Sequence, residues 1–98
     1  MGAEGAGEVR LLPWVGDGGK PCYLVSDSAG GPVSRMADDT EAIQLEMGNE
    51  LLSHARAMLL PDASGRELHF LASRLSEALA DALRVAESRG RRLRRQVD

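Results

Sequence analysis

The stretch LLPDASGRELHFLASRLSEALADALRVA, residues 59–86, decides the fold because it ends one helix and begins another. Pro61 disfavours helical geometry in the residue before it, and Ser64 with Glu67 matches the Ser-x-x-Glu capping box that opens a helix. Apolar residues then recur every three or four positions, as on one face of a helix; they are Leu68, Leu71, Ala72, Leu75, Leu79, Ala82, Leu83 and Ala86. We therefore predict a helix over residues 64–90 that Gly90 could end, although the arginine-rich stretch could carry the helix past it.

A first helix is predicted upstream, over residues 38–60. Asp38 and Glu41 have the spacing of a capping box, and acidic residues suit the first turn of a helix. The apolar stripe consists of Leu45, Gly48, Leu52, Ala55 and Leu59, and is widened by Met47, Leu51 and Met58. Because the connection to the next helix is only about four residues long, the two helices should pack as an antiparallel αα-hairpin.

The N-terminal part of the chain is predicted to form a small antiparallel β-meander over residues 9–36. Residues 22–26 are β-prone and lie between turn signals, whereas Pro13 makes residues 9–15 an edge or broken strand. Residues 27–31 should turn, and residues 32–36 could return as a third short strand. Residues 1–8, mostly Gly, Ala and Glu, are predicted to be a disordered leader.

The predicted fold class is therefore α+β: two or three short strands, then a long αα-hairpin, in one domain over residues 9–90 with a basic tail at 91–98. The two helices would expose more apolar surface than the meander can cover. A homodimer that joins two hairpins into a four-helix bundle would cover it. The alternative is a monomer in which the meander folds back over the apolar seam.

Charge and composition narrow the function classes. Residues 89–98 carry five arginines and one aspartate, net +4, which leaves −7 on the remainder of a chain whose net charge is −3. Arginine outnumbers lysine eleven to one, a bias typical of a GC-rich genome rather than of nucleic-acid binding. The single cysteine excludes an intramolecular disulfide. With no signal-peptide pattern and no long apolar run, we expect a cytoplasmic protein with no membrane contact.

The run GDGGKPCYL, residues 16–24, suggests a phosphate-binding loop but fails its requirements. A Walker loop needs G-x-x-x-x-G-K followed by Ser or Thr. Here Lys20 is followed by Pro21, which has neither hydroxyl nor N–H, and Trp14 stands where the first glycine belongs. We interpret the run as a glycine-rich turn that enters a strand.

Catalytic and metal-binding patterns are equally weak. Cys22 could be a nucleophile beside His54 or His69, but a strand cysteine is more often a small packed hydrophobe. The two histidines lack paired-ligand spacing, and the acid pairs Glu46/Glu50 and Glu77/Asp81 are typical of solvated helix faces. We therefore predict no enzyme, no metal and no cofactor, with a small-ligand carrier or enzyme using Cys22 left as an alternative.

An arginine cluster near the C-terminus is the most function-like feature of the sequence; it comprises Arg89, Arg91, Arg92, Arg94 and Arg95. Guanidinium groups bind phosphate and carboxylate in bidentate fashion. The cluster could bind an acidic protein or nucleic acid, although cations also complement the negative end of a helix dipole. Nucleic acid is the less favoured partner.

Three segments, GKPCYL at 19–24, SRMAD at 34–38 and ALRVAESRG at 82–90, make the chain resemble small uncharacterised proteins of Streptomyces-type actinomycetes. The resemblance implies no activity and suggests a chain that acts by contact, in a regulatory or accessory role. We therefore predict a non-catalytic protein–protein interaction module that acts as a dimer. Its surface for an unidentified protein partner would carry Trp14, Lys20, Tyr23 and Arg35.

Overall fold

A computed structural model describes residues 8–26 and 31–97, with side chains over 9–25 and 31–94. Strands β1 (Glu8–Val15) and β2 (Pro21–Ser26) are followed by helices α1 (Pro32–Met58) and α2 (Gly65–Val97). The α+β prediction, a short β-segment followed by a long helical hairpin, is confirmed. Most of the predicted leader and of the 27–31 turn lie outside the described residues.

The two strands form an antiparallel hairpin whose turn confirms the interpretation of the glycine-rich run. Gly16 N–H donates to the Lys20 carbonyl at 2.8 Å, and one 3-10 turn covers Asp17–Gly19 between them. Gly18 and Gly19 have φ of 69° and 76°, a region that side-chain-bearing residues rarely adopt. The pairing shifts between Leu11 and Val15, so Pro13 interrupts the ladder as expected.

The start of α1 corrects two predictions. The helix begins at Pro32, with Gly31 as its N-cap, so residues 32–36 are helical instead of forming a third strand. Proline suits the first helical position because its fixed φ and missing N–H cost nothing there. Asp38 and Glu41 therefore lie inside the helix, not at its N-terminus, and their carboxylates are directed toward β1.

The end of α2 corrects a third prediction, the basic tail over residues 91–98. The helix passes through Gly90 and ends at Val97, so residues 91–97 are helical and not a tail. The capping box at its other end is confirmed, because Ser64 N–H donates to Glu67 Oε1 at 2.9 Å and Glu67 N–H to Ser64 Oγ at 3.1 Å. Glu67 titrates below the ordinary value of 4.5 because the Ser64 backbone N–H, and then the Ser64 hydroxyl, lower its pKa.

The molecule is far from spherical. Its radius of gyration is 17.4 Å and its longest dimension 64 Å, whereas a compact domain of this size has a radius of gyration of about 13 Å. We call the end that holds the β-hairpin, with residues 32–43 and 84–97, the base. The remaining helical hairpin, residues 44–58 and 65–83, is the arm.

The base contains the most deeply buried part of the chain, which is β1. Its central residues are all buried: Arg10, Leu11, Leu12 and Pro13. The Leu11 carbonyl accepts from Ser88 Oγ of α2 at 2.9 Å, and the Pro13 carbonyl accepts from Gln44 Nε2 of α1 at 2.8 Å. One edge of β1 is therefore hydrogen-bonded to both helices, which leaves β2 as the outer strand.

Candidate interaction surfaces

A buried carboxylate organises the base. Glu41 is only 1% exposed, and its Oε1 accepts from Arg89 Nε at 3.3 Å and from Arg92 Nη2 at 3.2 Å. Its Oε2 lies 3.3 Å from Arg10 Nη2. Because Arg10 is on β1, Glu41 on α1 and the other two arginines on α2, the cluster ties all three elements together. A buried charge is tolerated only when it is paired in this way.

Further hydrogen bonds extend this cluster, although the buried Arg10 Nε and Glu41 Oε2 have no hydrogen-bond partner among the described residues. Arg10 donates to the Ser34 carbonyl and hydroxyl at 3.0 and 2.7 Å, and to Asp38 Oδ1 at 2.7 Å. Arg92 also donates to the hydroxyl of Ser88, the residue that reaches β1. Three guanidinium groups thus face two carboxylates, and the cluster carries a net charge of +1.

The arginines predicted to bind an anion therefore do not form one group, because two of them pair with Glu41 in the base. Arg89 and Arg92 contact Glu41, while Arg91 lies 5.8 Å from the centre of the Tyr23 ring and 3.8 Å from Glu87. Arg94 is exposed, and the side chain of Arg95 is not described. No sequence signal distinguishes the two arginines that bind Glu41 from their neighbours, because their partner lies about fifty residues away.

The arm has a different kind of surface. Its interhelical seam combines leucines with small residues and one amide; on α1 these are Gln44, Gly48, Leu51 and Ala55, and on α2 Leu71, Leu75 and Ala78. Several leucines of the predicted stripes point outward instead: Leu79 is 60% exposed, and Leu45, Leu52, Leu59 and Leu68 are exposed as well. The apolar stripes are thus too wide for one partner helix to cover.

The two faces of the arm differ in charge. A groove of about 400 Å³ on one face is lined without any charged residue by Gln44, Leu45, Gly48, Asn49, Leu52, Leu75, Ala78, Leu79 and Ala82. On the other side of the seam, Met47 and Leu51 lie among Arg74, Glu77 and Asp81. The uncharged groove is the larger apolar surface of the two and the better candidate for contact with another protein.

One polar atom beside this groove lacks a partner. Gln44 Oε1 is buried and accepts no hydrogen bond from the described residues, although Nε2 of the same amide donates to Pro13. An unpaired buried acceptor costs about 1–3 kcal/mol.

The residues predicted to meet a protein partner lie on two elements. Trp14, Lys20 and Tyr23 are on the β-hairpin, where Trp14 is half-buried and the other two are exposed. Arg35 is exposed in the first turns of α1, next to Ser34, which binds Arg10. The hairpin residues share one element, and Arg35 lies on a neighbouring one.

The candidate catalytic residues are dispersed. Cys22 is half-buried on β2 as a free thiol, and an added Cβ at Gly16 would lie 3.2 Å from its sulfur. His54 and His69 are both exposed, on α1 and α2 respectively. Among the described residues, no three His, Cys, Asp or Glu side chains lie close enough to hold a metal ion.

Over residues 8–26 and 31–97, no helix has a segment both long and apolar enough to cross a lipid bilayer. No protein-family model, no curated protein and no solved structure matches this chain. Its function must therefore be inferred from its own surfaces.

Proposed function

We propose that this protein is a non-catalytic interaction module, regulatory or accessory in kind, that works as a homodimer and presents its β-hairpin to a protein partner. In the dimer, the uncharged groove of one arm packs against the same groove of a second copy, so that four helices surround a shared core. The observation that carries the proposal is this groove, which runs along both helices on an arm that has little other core.

The groove has further properties that suit a second copy. It contains no charge that would repel itself, although the chain as a whole is acidic. Its amides, Gln44 and Asn49, stand among apolar neighbours, where a polar pair in a helical interface fixes register.

The arginine cluster supports the nucleic-acid alternative less well. Arg89 and Arg92 contact Glu41 in the base, and Arg91 contacts Glu87 and the Tyr23 ring. Binding a phosphate backbone through them would compete with contacts that hold α2 to β1 and α1. Binding by contact between proteins needs no such rearrangement.

The dimer is tested by substitution of one residue on each face of the arm. Leu79→Glu places a charge in the uncharged groove, whereas Met47→Glu makes a comparable change at a residue 55% exposed on the charged face. Burying an unpaired carboxylate costs several kcal/mol, so Leu79→Glu should weaken the dimer by roughly a hundredfold or more.

The measurement is sedimentation equilibrium over a range of protein concentrations. Met47→Glu should retain the wild-type dissociation constant, and circular dichroism should show that both variants remain helical. A wild-type chain that is monomeric at high concentration, or a Leu79→Glu chain that dimerises as the wild type does, would contradict the proposal.

A further inference from the structure

The outer edge of β2 is an unpaired strand edge. Gly16 and Lys20 bond to each other across the hairpin, and backbone groups in an antiparallel pair alternate between facing the partner strand and facing away. Pro21, Tyr23 and Val25 therefore direct their backbone groups away from β1. Among the described residues, no backbone or side-chain group bonds to the outward groups of Tyr23 or Val25.

The corresponding edge of β1 is covered. Its outward carbonyls at Leu11 and Pro13 accept from Ser88 and Gln44 of the helices. Natural proteins also blunt free edges with charged residues, prolines or bulges. β2 has a proline at its first residue only and no charged residue from Pro21 to Ser26, so its remaining length is open to another strand.

From these observations we infer that β2 binds an extended peptide segment of another protein by strand addition. Tyr23 and Val25 would each donate and accept one backbone hydrogen bond, a recognition mode in which main-chain bonds supply affinity and alternate side chains supply specificity. This inference gives the chemistry of the partner at the β-hairpin surface proposed above, and it rests on that proposal.

The side chains around the edge indicate what the segment carries. Tyr23 is 46% and Val25 66% exposed on the same face of the strand, which favours β-branched or aromatic residues at alternate positions of the peptide. Arg91 lies over the Tyr23 ring, and Lys20 is exposed at the start of the strand. The Arg91–Glu87 ion pair is loose, at 3.8 Å, so a carboxylate on the peptide would find a cation nearby.

The size of the edge favours a peptide over a second copy. Six residues of strand extend only about 20 Å. Pairing two such edges buries far less than the roughly 1,200 Å² that stable protein interfaces bury at minimum. A transient complex with a short segment suits an edge of this length, while the arm provides the larger surface for a second copy.

The test is to select, from a random decapeptide library displayed on phage, peptides that bind the full chain. Phage that also bind the Val25→Pro variant are removed by counter-selection. Val25 faces Val9 in β1 without sharing ladder bonds with it, because its backbone groups point outward. Val25→Pro therefore removes an outward N–H and leaves the hairpin bonds in place. Val25→Thr is the matched control, and circular dichroism melting checks that both variants fold.

We expect enrichment of peptides with alternating β-branched residues and a carboxylate. In fluorescence anisotropy, a selected peptide should bind the wild type and Val25→Thr alike, and Val25→Pro at least tenfold more weakly. The same peptide N-methylated at alternate residues cannot donate to the edge and should lose binding to the unaltered protein. The measurement with the N-methylated peptide remains informative even if Val25→Pro fails to fold.

Three results would overturn the inference: no peptide enriched over the Val25→Pro background, unchanged affinity after N-methylation, or loss of self-association in Val25→Pro. The last would assign the edge to a second copy. Leu79→Glu separates this inference from the proposed dimer, since it should abolish dimerisation and leave peptide binding intact. Peptide binding without any dimer would refute the dimer alone.

Discussion

The base and the arm bury their helices in opposite ways. In the base, β1 lies between α1 and α2, where Leu11 and Val85 are buried beside a cluster in which Glu41 contacts arginines from two elements. In the arm, the helices meet along a seam of leucines and small residues and leave further leucines exposed. The base therefore has a buried core of its own over the described residues, whereas the arm leaves a wide apolar surface exposed.

The comparison indicates that the polar contacts of the base fix the arrangement of the elements, while the exposed apolar side chains of the arm remain available to a partner. The bonds of Arg10 and Ser88 depend on distance and direction, so they hold β1 in one position. The exposed leucines of the arm have no such requirement and can pack against any well-shaped apolar surface. The following substitutions test the contrast.

The largest effect is expected from Glu41→Ala. Removing Glu41 takes away the carboxylate that Arg89 and Arg92 share, although Arg10 keeps its contact with Asp38. Breaking a buried ion pair costs up to about 3–5 kcal/mol. The free energy of unfolding, measured by urea titration, should fall by that amount. Glu46→Ala, an exposed glutamate on the same helix, should change it by less than about 0.5 kcal/mol. Equal effects from the two substitutions would show that the Glu41 cluster does not stabilise the base.

A smaller effect of opposite sign is expected from Gly90→Ala. Alanine in a helix interior is favoured over glycine by about 1 kcal/mol, and the added Cβ would meet only Arg94 Nη1, at an ordinary 3.6 Å. The free energy of unfolding should therefore rise. Gly18→Ala provides the contrast. Because Gly18 has a φ of 69°, this substitution should lower the free energy of unfolding. A loss of stability in Gly90→Ala would mean that α2 does not continue through residue 90.

The smallest effect concerns the capping box at the tip of the arm. Because the pKa of Glu67 is lowered, its ionised form stabilises the folded state at pH values above its ordinary 4.5. That contribution is lost as the pH falls through the lowered folded value. In Glu67→Gln the midpoint of thermal unfolding should depend less on pH below about 5, with Glu50→Gln as the control. Identical pH profiles for wild type and Glu67→Gln would contradict the role of the box.

Much of the fold was predictable because its signals are local. Pro61, the Ser64–Glu67 box and the three-and-four spacing of leucines placed the end of α1 and the start of α2 within two residues of their observed bounds, whereas α1 begins six residues earlier and α2 continues seven residues further than predicted. The hairpin turn followed from glycines that adopt positive φ. The candidate surfaces were less predictable. Wide apolar stripes indicated the need for a partner, but they did not indicate which leucines would face outward.

The errors arose where distant residues override local preference. The Asp38–Glu41 spacing matched a cap, yet both carboxylates contact Arg10, some thirty positions earlier in the chain. Gly90 matched a helix end, yet Arg89 and Arg92 on either side of it bind Glu41. Two such contacts offset a glycine cost of about 1 kcal/mol, so the helix continues.

The sequence by itself determined the strand hairpin, the two helices and the excess of apolar surface, because these depend on turn geometry, caps and periodicity within a few residues. Only the tertiary structure decided that Glu41 is buried, that β1 lies between the helices, and that none of the described residues pairs with the outer edge of β2. Those features depend on contacts between segments far apart in sequence, whose free energy exceeds any local preference.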